Sequence, residues 1–485
     1  MKLFAIFTVF VILFCTQNLH AQVPDVAWTK TFGGTGYDLG YSVVQTTDGG
    51  YIVAGYTESY GAGDYDVYLV KTDSSGDTLW TKTFGGTEYD PGFSVQQTTD
   101  EGYIVAGSTR SYGAGGADVY IIKTNSDGDT LWTNTYGGSG YDAGYFVQQT
   151  TDGGYVATGY TYSYGAGGAD VYLIKTDSIG DTLWTKTFGG YEWEYGFSVR
   201  QTTDGGYIVA GFTDSYGAGL DDVYLIKTDS SGDTLWTKTY GGTNFDVGYY
   251  AHQTIDGGYI VAGSTESYGA GGEDVYLIKT DSGGNVLWTK TFGGSDYDAG
   301  YSVQQTADGG YIIAGSVKSF GAGGSDVYII KTDSSGDSLW TKTIGGPQND
   351  PGESIQQTTD GGYIVAGCTV SYGAGHSDFY LIKLEPETGI EEETGESPLT
   401  TLETIGPNPF SSDLTITYSV PEQTRVELAV FDLSGRLLEE LVNDRIPAGS
   451  HTVLWTPSEE VPSGCYLIKL NACGHHEVGR CLKLN

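Results

Sequence analysis

Residues 80–131 read W-T-K-T-F-G-G-T-E-Y-D-P-G-F-S-V-Q-Q-T-T-D-E-G-Y-I-V-A-G-S-T-R-S-Y-G-A-G-G-A-D-V-Y-I-I-K-T-N-S-D-G-D-T-L, and the same phrase begins again at Trp132. Trp28, Trp80, Trp132, Trp184, Trp236, Trp288 and Trp340 all open a copy of it, 52 residues apart. The register holds without insertion or deletion from Trp28 to Lys383; Trp193 and Trp455 stand outside it. Self-similarity at such a period is the mark of a repeat architecture.

Each copy contains four short strands. Ser94–Thr98 leads through the turn Thr99-Asp100-Glu101-Gly102 to Tyr103–Thr109. The loop 110–117 leads to Asp118–Thr124, and Asn125-Ser126-Asp127-Gly128-Asp129 turns the chain into Leu131–Tyr136. The tight turns carry Asp, Asn and Gly where positive φ is needed. The second and third strands are nearly continuous apolar runs, as expected with both faces buried. The fourth alternates, which suits a half-exposed outer strand.

Four antiparallel strands per unit of about 50 residues predict a β-propeller blade. One blade cannot bury both of its faces, so neighbours in a ring must complete the core. The Trp strand occurs seven times, and so do the other three. The last set, ending at Lys383, lacks its own Trp strand, while the first Trp strand has no partners before it. The strand Val26–Phe32 is therefore expected to close the last blade, giving seven blades. The repeat resembles the bacterial secreted β-propeller repeats of the G-G-x-x-x-D-x-G…D-G-G-Y-x-x-A-G type, a resemblance that implies fold and says little about activity.

The segments outside the repeat speak of export. Lys2 precedes the apolar run Leu3–Cys15, interrupted only by Thr8, and Ala21 offers a small residue for cleavage. This reads as a signal peptide over 1–21, too short for a permanent span. Phe14 is too bulky for a lipid attachment at Cys15. No transmembrane segment is expected after signal cleavage. The ring is assigned 22–384. Residues 385–403, with seven Glu, no basic residue, Pro386 and Pro398, read as an acidic linker. Beyond it, Leu414–Val420, Arg425–Asp432, Ser450–Trp455, Cys465–Asn471 and Val478–Leu484 read as strands of a small Ig-like β-sandwich over 404–485. The fold class is thus all-β throughout.

Five ordered blocks of that tail look like a known family: Gly406-Pro407-Asn408-Pro409-Phe410, Thr415–Ser419, Val430–Arg436, Pro447-Ala448-Gly449 and Pro462–Tyr466. Together they resemble the C-terminal sorting domain of type IX secretion substrates. The resemblance implies recognition by the type IX machinery through 404–485, and a destination outside, or on the outer surface of, a Gram-negative, Bacteroidota-type bacterium. Cys465 and Cys481 depart from its usual apolar residues.

Composition narrows the partners. With 61 acidic against 23 basic residues, the net charge is −38, which excludes nucleic acid and anionic membrane as expected partners. The histidines do not converge in sequence, and no nucleophile–base motif occurs. The tail cysteines, with Cys473, allow one disulfide or none. No cofactor is expected. The recurrent D-S-S-G-D of Asp73–Asp77 serves either as a hairpin turn or as a Ca²⁺ loop; it lacks a downstream bidentate Glu.

Strand direction places the interblade loops on the same face as the loops between second and third strands. The interblade loops carry Tyr37-Asp38, Tyr89-Asp90, Tyr141-Asp142, Trp193-Glu194, Phe245-Asp246, Tyr297-Asp298 and Asn349-Asp350. The others carry Tyr or Phe in S-[YF]-G-A-G. Aromatic rings stack on sugar C–H faces and carboxylates accept sugar hydroxyls, so a glycan is the expected ligand, or alternatively a protein. The competing reading has these carboxylates capping loop N–H groups. A unique site should appear as departures from the repeat, and those are scattered: Arg110, Asn134, Trp193, Arg200, His252, Lys318, Glu353, Cys368 and His376. Arg200 and His252 share one repeat column in adjacent blades. The expected function is a non-enzymatic binding or scaffold module. The alternatives are a polysaccharide hydrolase or lyase on a propeller, by fold analogy alone, and a purely structural surface component.

Overall fold

The computed structural model describes residues 23–387, 401–420, 423–432, 436–458, 461–472 and 475–484. The signal segment, most of the acidic linker and Cys473 lie outside the described residues. All regular secondary structure among the described residues is strand. The chain divides into two compact units, Met1–Gly389 and Ile390–Asn485.

The first unit is seven four-stranded antiparallel sheets. The first blade runs Asp38–Gln45, Tyr51–Thr57, Asp66–Thr72 and Thr78–Phe84, in that order from the inside. The last orders Gly352–Gln357, Tyr363–Thr369, Asp378–Leu384 and, outermost, Val26–Phe32. Trp28 pairs with Lys383 and Phe32 with Phe379, so the N-terminal strand closes the final blade as expected. The ring is sealed on the inside too: the Gln45 backbone N–H donates to Gln356 Oε1 at 2.7 Å, and that of Asp38 to the Ser377 carbonyl at 2.8 Å.

The middle strands of every blade are apolar and buried, and they pack against the next blade, not within their own. Seven clusters result, one per blade boundary. The one between last and first blades joins Ile364, Ala366, Phe379 and Leu381 to Val43, Tyr51, Val53 and Val70. Each outer-strand Trp meets the edge of a Tyr in the following blade, as Trp28 meets Tyr51 at 5.9 Å. Burying these faces is the main stabilising term. It explains why the repeat cannot stand alone.

The turn between first and second strands holds a Gly at φ between 82° and 87° in six blades. Glu101 occupies that place in the second blade at φ 66°, among the described residues the one non-glycine with positive φ. On the same end, buried Lys71 reaches Asp48 Oδ2 at 2.9 Å and the Thr72 carbonyl at 2.9 Å. The pair recurs in every blade through Lys383–Asp360. The ammonium beside it and the Thr46 hydroxyl hold the Asp48 carboxyl at about 2 against opposing desolvation.

The second unit packs two sheets on one core. Thr401–Gly406, Leu414–Val420 and Gly449–Trp455 form one. Leu437–Ile446, Thr424–Asp432, Gly464–Ala472 and His475–Lys483 form the other, in that order. Ile416, Tyr418 and Trp455 meet Leu428, Val430, Ile468 and Leu470 in the interior. Strict alternation in Leu414–Val420 follows from its having one face in that core. Thr401–Gly406 and Leu437–Ile446 are strands beyond those expected from sequence. The first extends this unit into the segment read as linker. Cys465 and Cys481, on paired strands, are both free thiols.

Candidate ligand-binding site

The loops expected to share a face do so. The Tyr60 hydroxyl donates to the Gly33 carbonyl at 2.8 Å, pinning the loop after the second strand to the interblade loop. Tyr112, Tyr164, Tyr216, Tyr268 and Tyr372 repeat that bond at 2.7–3.0 Å.

The carboxylates of these loops are not on the surface. Asp38, Asp90, Asp142, Glu194, Asp246, Asp298 and Asp350 are all 0% exposed. Asp38 Oδ2 accepts from the Gly34 N–H at 2.7 Å and the Ser59 hydroxyl at 2.6 Å, and Oδ1 accepts from the Thr57 hydroxyl. Asp90 and Asp350 collect the same donors plus further loop N–H groups. A second buried carboxylate per blade, such as Asp66, accepts the Ala62 N–H at 2.6 Å. Burial raises the Asp66 carboxyl above the ordinary range, with neighbouring Asp90 adding to it. The first glycine of each G-G pair leaves room for these groups: a Cβ on Gly85 would collide with Asp66 Oδ1. The seven acidic residues proposed to accept sugar hydroxyls therefore cap loop N–H groups, because an unmet buried donor costs more than any exposed contact returns.

The aromatic partners do face solvent. Tyr37, Tyr141, Trp193, Phe245 and Tyr297 are exposed, Trp193 by 52%. Tyr89 is the exception, half-buried between Tyr65 at 5.2 Å and the Arg110 guanidinium at 5.6 Å. Asn349 is exposed and accepts the Ser325 N–H. With Tyr60, Tyr112, Tyr162, Tyr164, Tyr191, Tyr216, Tyr268, Phe320 and Tyr372, they form a crown. Every exposed aromatic ring among the described residues belongs to it. The acids that remain reachable there stand in other columns of the repeat. Glu58 and Glu88 are exposed, and Asp214 and Glu266 are half-buried. His376 stacks on Tyr37 at 5.0 Å.

The second feature is the channel along the ring axis, lined by the innermost strands. Each of these carries a bulge, between Gly40 and Ser42 in the first blade, which leaves one residue unpaired. That residue is Tyr41, Phe93, Tyr145, Phe197, Tyr249, Tyr301 and, in the last blade, Glu353. Successive ring centroids are 5.5, 5.2, 5.2, 5.3 and 5.0 Å apart, an aromatic annulus interrupted only by Glu353. These residues line a cavity of 210 Å³. Desolvation alone raises the Glu353 carboxyl to about 7. Behind it lies the buried Cys368 thiol, pushed up to about 12 by burial and then by Glu353.

Toward the tight-turn end a second cavity of 240 Å³ contains Arg200 and His252. Arg200 lies 4.7 Å from the Phe146 ring centroid and 5.3 Å from that of Tyr250, and donates to the Tyr250 hydroxyl. Burial, then Arg200, lowers the His252 imidazole to about 4. Phe146 and Tyr250 stand where five blades carry Ser. Some of the departures that look scattered in sequence thus meet on the channel: Arg200 and His252 line one cavity, and Glu353, with Cys368 behind it, lines the other.

The D-S-S-G-D segments sit on the tight-turn face. Asp73 Oδ1 accepts the N–H groups of Ser75 and Asp77, both at 2.9 Å, and Asp77 pairs with Lys30 at 2.7 Å. These are the bonds of a hairpin turn. Among the described residues no group of three or more His, Cys, Asp or Glu is arranged to hold a metal ion.

Residues 404–482 match the secretion system C-terminal sorting domain. That domain implies recognition by the type IX secretion machinery and a destination outside the cell or on its surface. The regulatory protein FlaEY of Caulobacter vibrioides is 28% identical over 185 residues, 35% of this chain. The chain spans 19% of the length of that curated relative. Among solved structures, a fungal alcohol oxidase of the AA5 family in complex with copper is 12% identical, covering 96% of this chain and 100% of its own, with TM-score 0.44. A puromycin hydrolase is 11% identical, covering 81% and 62%, with TM-score 0.45. A glycoside hydrolase of family 32 from Bifidobacterium adolescentis is 12% identical, covering 95% and 78%, with TM-score 0.28. Likenesses this distant carry nothing about chemistry.

Proposed function

We propose that this chain is an exported, non-enzymatic binding protein whose ring engages an extracellular polysaccharide through the aromatic crown of its loop face. The observation that carries this reading is the confinement of every exposed ring among the described residues to that one face. Exposed apolar surface of this extent marks an interaction site. Flat rings with hydroxyls nearby stack on the C–H faces of sugars. Glu58, Glu88, Asp214 and Glu266 supply acceptors beside them, in place of the buried interblade carboxylates. Seven near-copies of one surface suit repeated engagement of a repeating polymer, where linked contacts multiply affinity. A catalyst needs only one site. The test is a glycan array probed with the full chain: binding to one or more polysaccharides supports the reading, and a blank array refutes it.

A further inference from the structure

We propose that the tight-turn half of the axial channel binds a small oxyanion: a carboxylate, or a sulfate or phosphate ester. The inference is independent of the crown. It begins with the glutamine column of the inner strands, occupied by Gln in four blades, Val44 in the first, and Arg200 and His252 in the fourth and fifth. Each of these glutamines accepts a backbone N–H from the next blade through Oε1. Gln149 donates to Gln96, Gln201 to Gln148 and Gln45 to Gln356 at 2.7 Å, and Gln357 donates to Gln304 at 2.9 Å. An N–H can be met only by the oxygen, so the orientation of every amide is fixed. Their NH₂ groups are left over, and among the described residues no acceptor is bonded to them.

Of the two substitutions in this column, Arg200 adds donors of the same sense, and His252, a neutral imidazole, adds one ring N–H and one ring acceptor. Arg200 is cationic, and no carboxylate among the described residues forms an ion pair with it; its one bonded partner is the neutral Tyr250 hydroxyl. Arg200 Nε and His252 Nδ1 are both buried without a hydrogen-bond partner. They line the 240 Å³ cavity together with Gln96, Gln304 and Gln356. A layer that presents amide and guanidinium donors beside a neutral imidazole, and no acidic group, is complementary to an anion. A half-buried guanidinium whose Nε is buried and unpartnered, and which lacks a counter-ion, carries an uncompensated desolvation cost that an oxyanion would reduce. Its planar fork matches the oxygens of a carboxylate, sulfate or phosphate. Phe146 and Tyr250, by flanking the guanidinium, hold it in place before any ligand arrives.

The experiment titrates the full chain with glucuronate, sulfate and inorganic phosphate by calorimetry, against chloride at constant ionic strength. Arg200→Gln and His252→Gln are the informative variants, since each restores the residue that other blades carry and keeps the fold. Lys30→Gln, on the exposed outer strand, is the control. The expected result is saturable binding of at least one anion by the wild type and by the control. Arg200→Gln should weaken it at least tenfold, and His252→Gln should weaken it to a smaller extent. Binding of glucuronate alone would identify a carboxylate site, and of sulfate or phosphate an ester site. No saturable binding of any of the three, or equal binding by Arg200→Gln, would overturn the proposal.

Discussion

The guanidinium of Arg200 donates to the hydroxyl of Tyr250, and the two stand in adjacent blades where most blades carry Gln and Ser. Neither departure has this partner without the other. The bond joins two blades inside the channel, at a level where most boundaries are joined by Gln-to-backbone bonds. A double-mutant cycle with Arg200→Gln and Tyr250→Ser should therefore return a coupling energy of about 1–2 kcal/mol, combining the hydrogen bond and the cation–ring contact. Chemical denaturation of the four chains measures it. Additive effects would mean that the two side chains act independently.

Glu353 gives the ring a pH dependence of definite sign. Its carboxyl titrates near 7 in the folded ring against an ordinary value of 4.5. The folded state therefore holds a proton that the unfolded chain has released. Stability contributed by this group is complete below 4.5 and lost as pH rises through 7. Glu353→Gln should match the wild type near pH 5 and exceed it near pH 8 by about 2 kcal/mol, a figure reduced from the full shift because the carboxyl keeps some contact with the channel. Melting temperatures across that range test it. A constant difference between the two proteins at all pH values would contradict the assignment.

Glu101 adopts φ 66° at a turn position where the other blades have Gly, and nothing lies within 4 Å of a Cβ at the equivalent Gly49. The cost at Glu101 is thus backbone strain without steric compensation. Glu101→Gly should stabilise the ring by about 1 kcal/mol, read as a rise in denaturation midpoint with unchanged slope. An unchanged or lower midpoint would show that the Glu side chain contributes more than the strain.

Removing residues 23–33 takes away the outer strand of the last blade and leaves Asp378–Leu384 as an open edge. The truncated chain should melt earlier and associate through that edge. Light scattering during a thermal ramp reports both. A monomer with the wild-type melting temperature would contradict closure by Val26–Phe32.

The sequence carried the ring almost completely. A 52-residue period, an unpaired first Trp strand and a last set lacking one were enough to assign seven blades and the closing strand Val26–Phe32. The face shared by the two loop sets was also legible, because strand direction alone decides it. The direction of individual side chains was not. Tyr37 and Asp38 are neighbours, yet one is exposed and the other wholly buried under the loop, which depends on where the Gly33–Gly34 N–H groups point. The channel was hidden for a similar reason. The bulge at Tyr41 breaks the alternation of the inner strand, so Tyr41 and Ser42 both reach the axis, and no period-two reading places them there. In the tail, Leu437–Ile446 escaped because L-L-E-E-L-V-N-D-R-I lacks clean alternation and its pairing with Thr424–Asp432 shifts register twice.

Multivalent recognition through the crown is tested most directly by comparing polymer with monomer. A polysaccharide bound by the full chain, and its constituent monosaccharide, would be titrated against the wild type, against Trp193→Ala, and against a variant with Tyr141, Trp193, Phe245 and Tyr297 all changed to Ala. The side chains removed are exposed, so melting temperatures should stay close to the wild type and serve as the control. Trp193→Ala alone should weaken polymer binding less than about threefold. The fourfold variant should weaken it by about 100-fold or more, while the already weak affinity for the monosaccharide changes far less, because avidity depends on simultaneous contacts. Polymer binding that survives the fourfold change undiminished, in a ring that remains folded, would contradict the account.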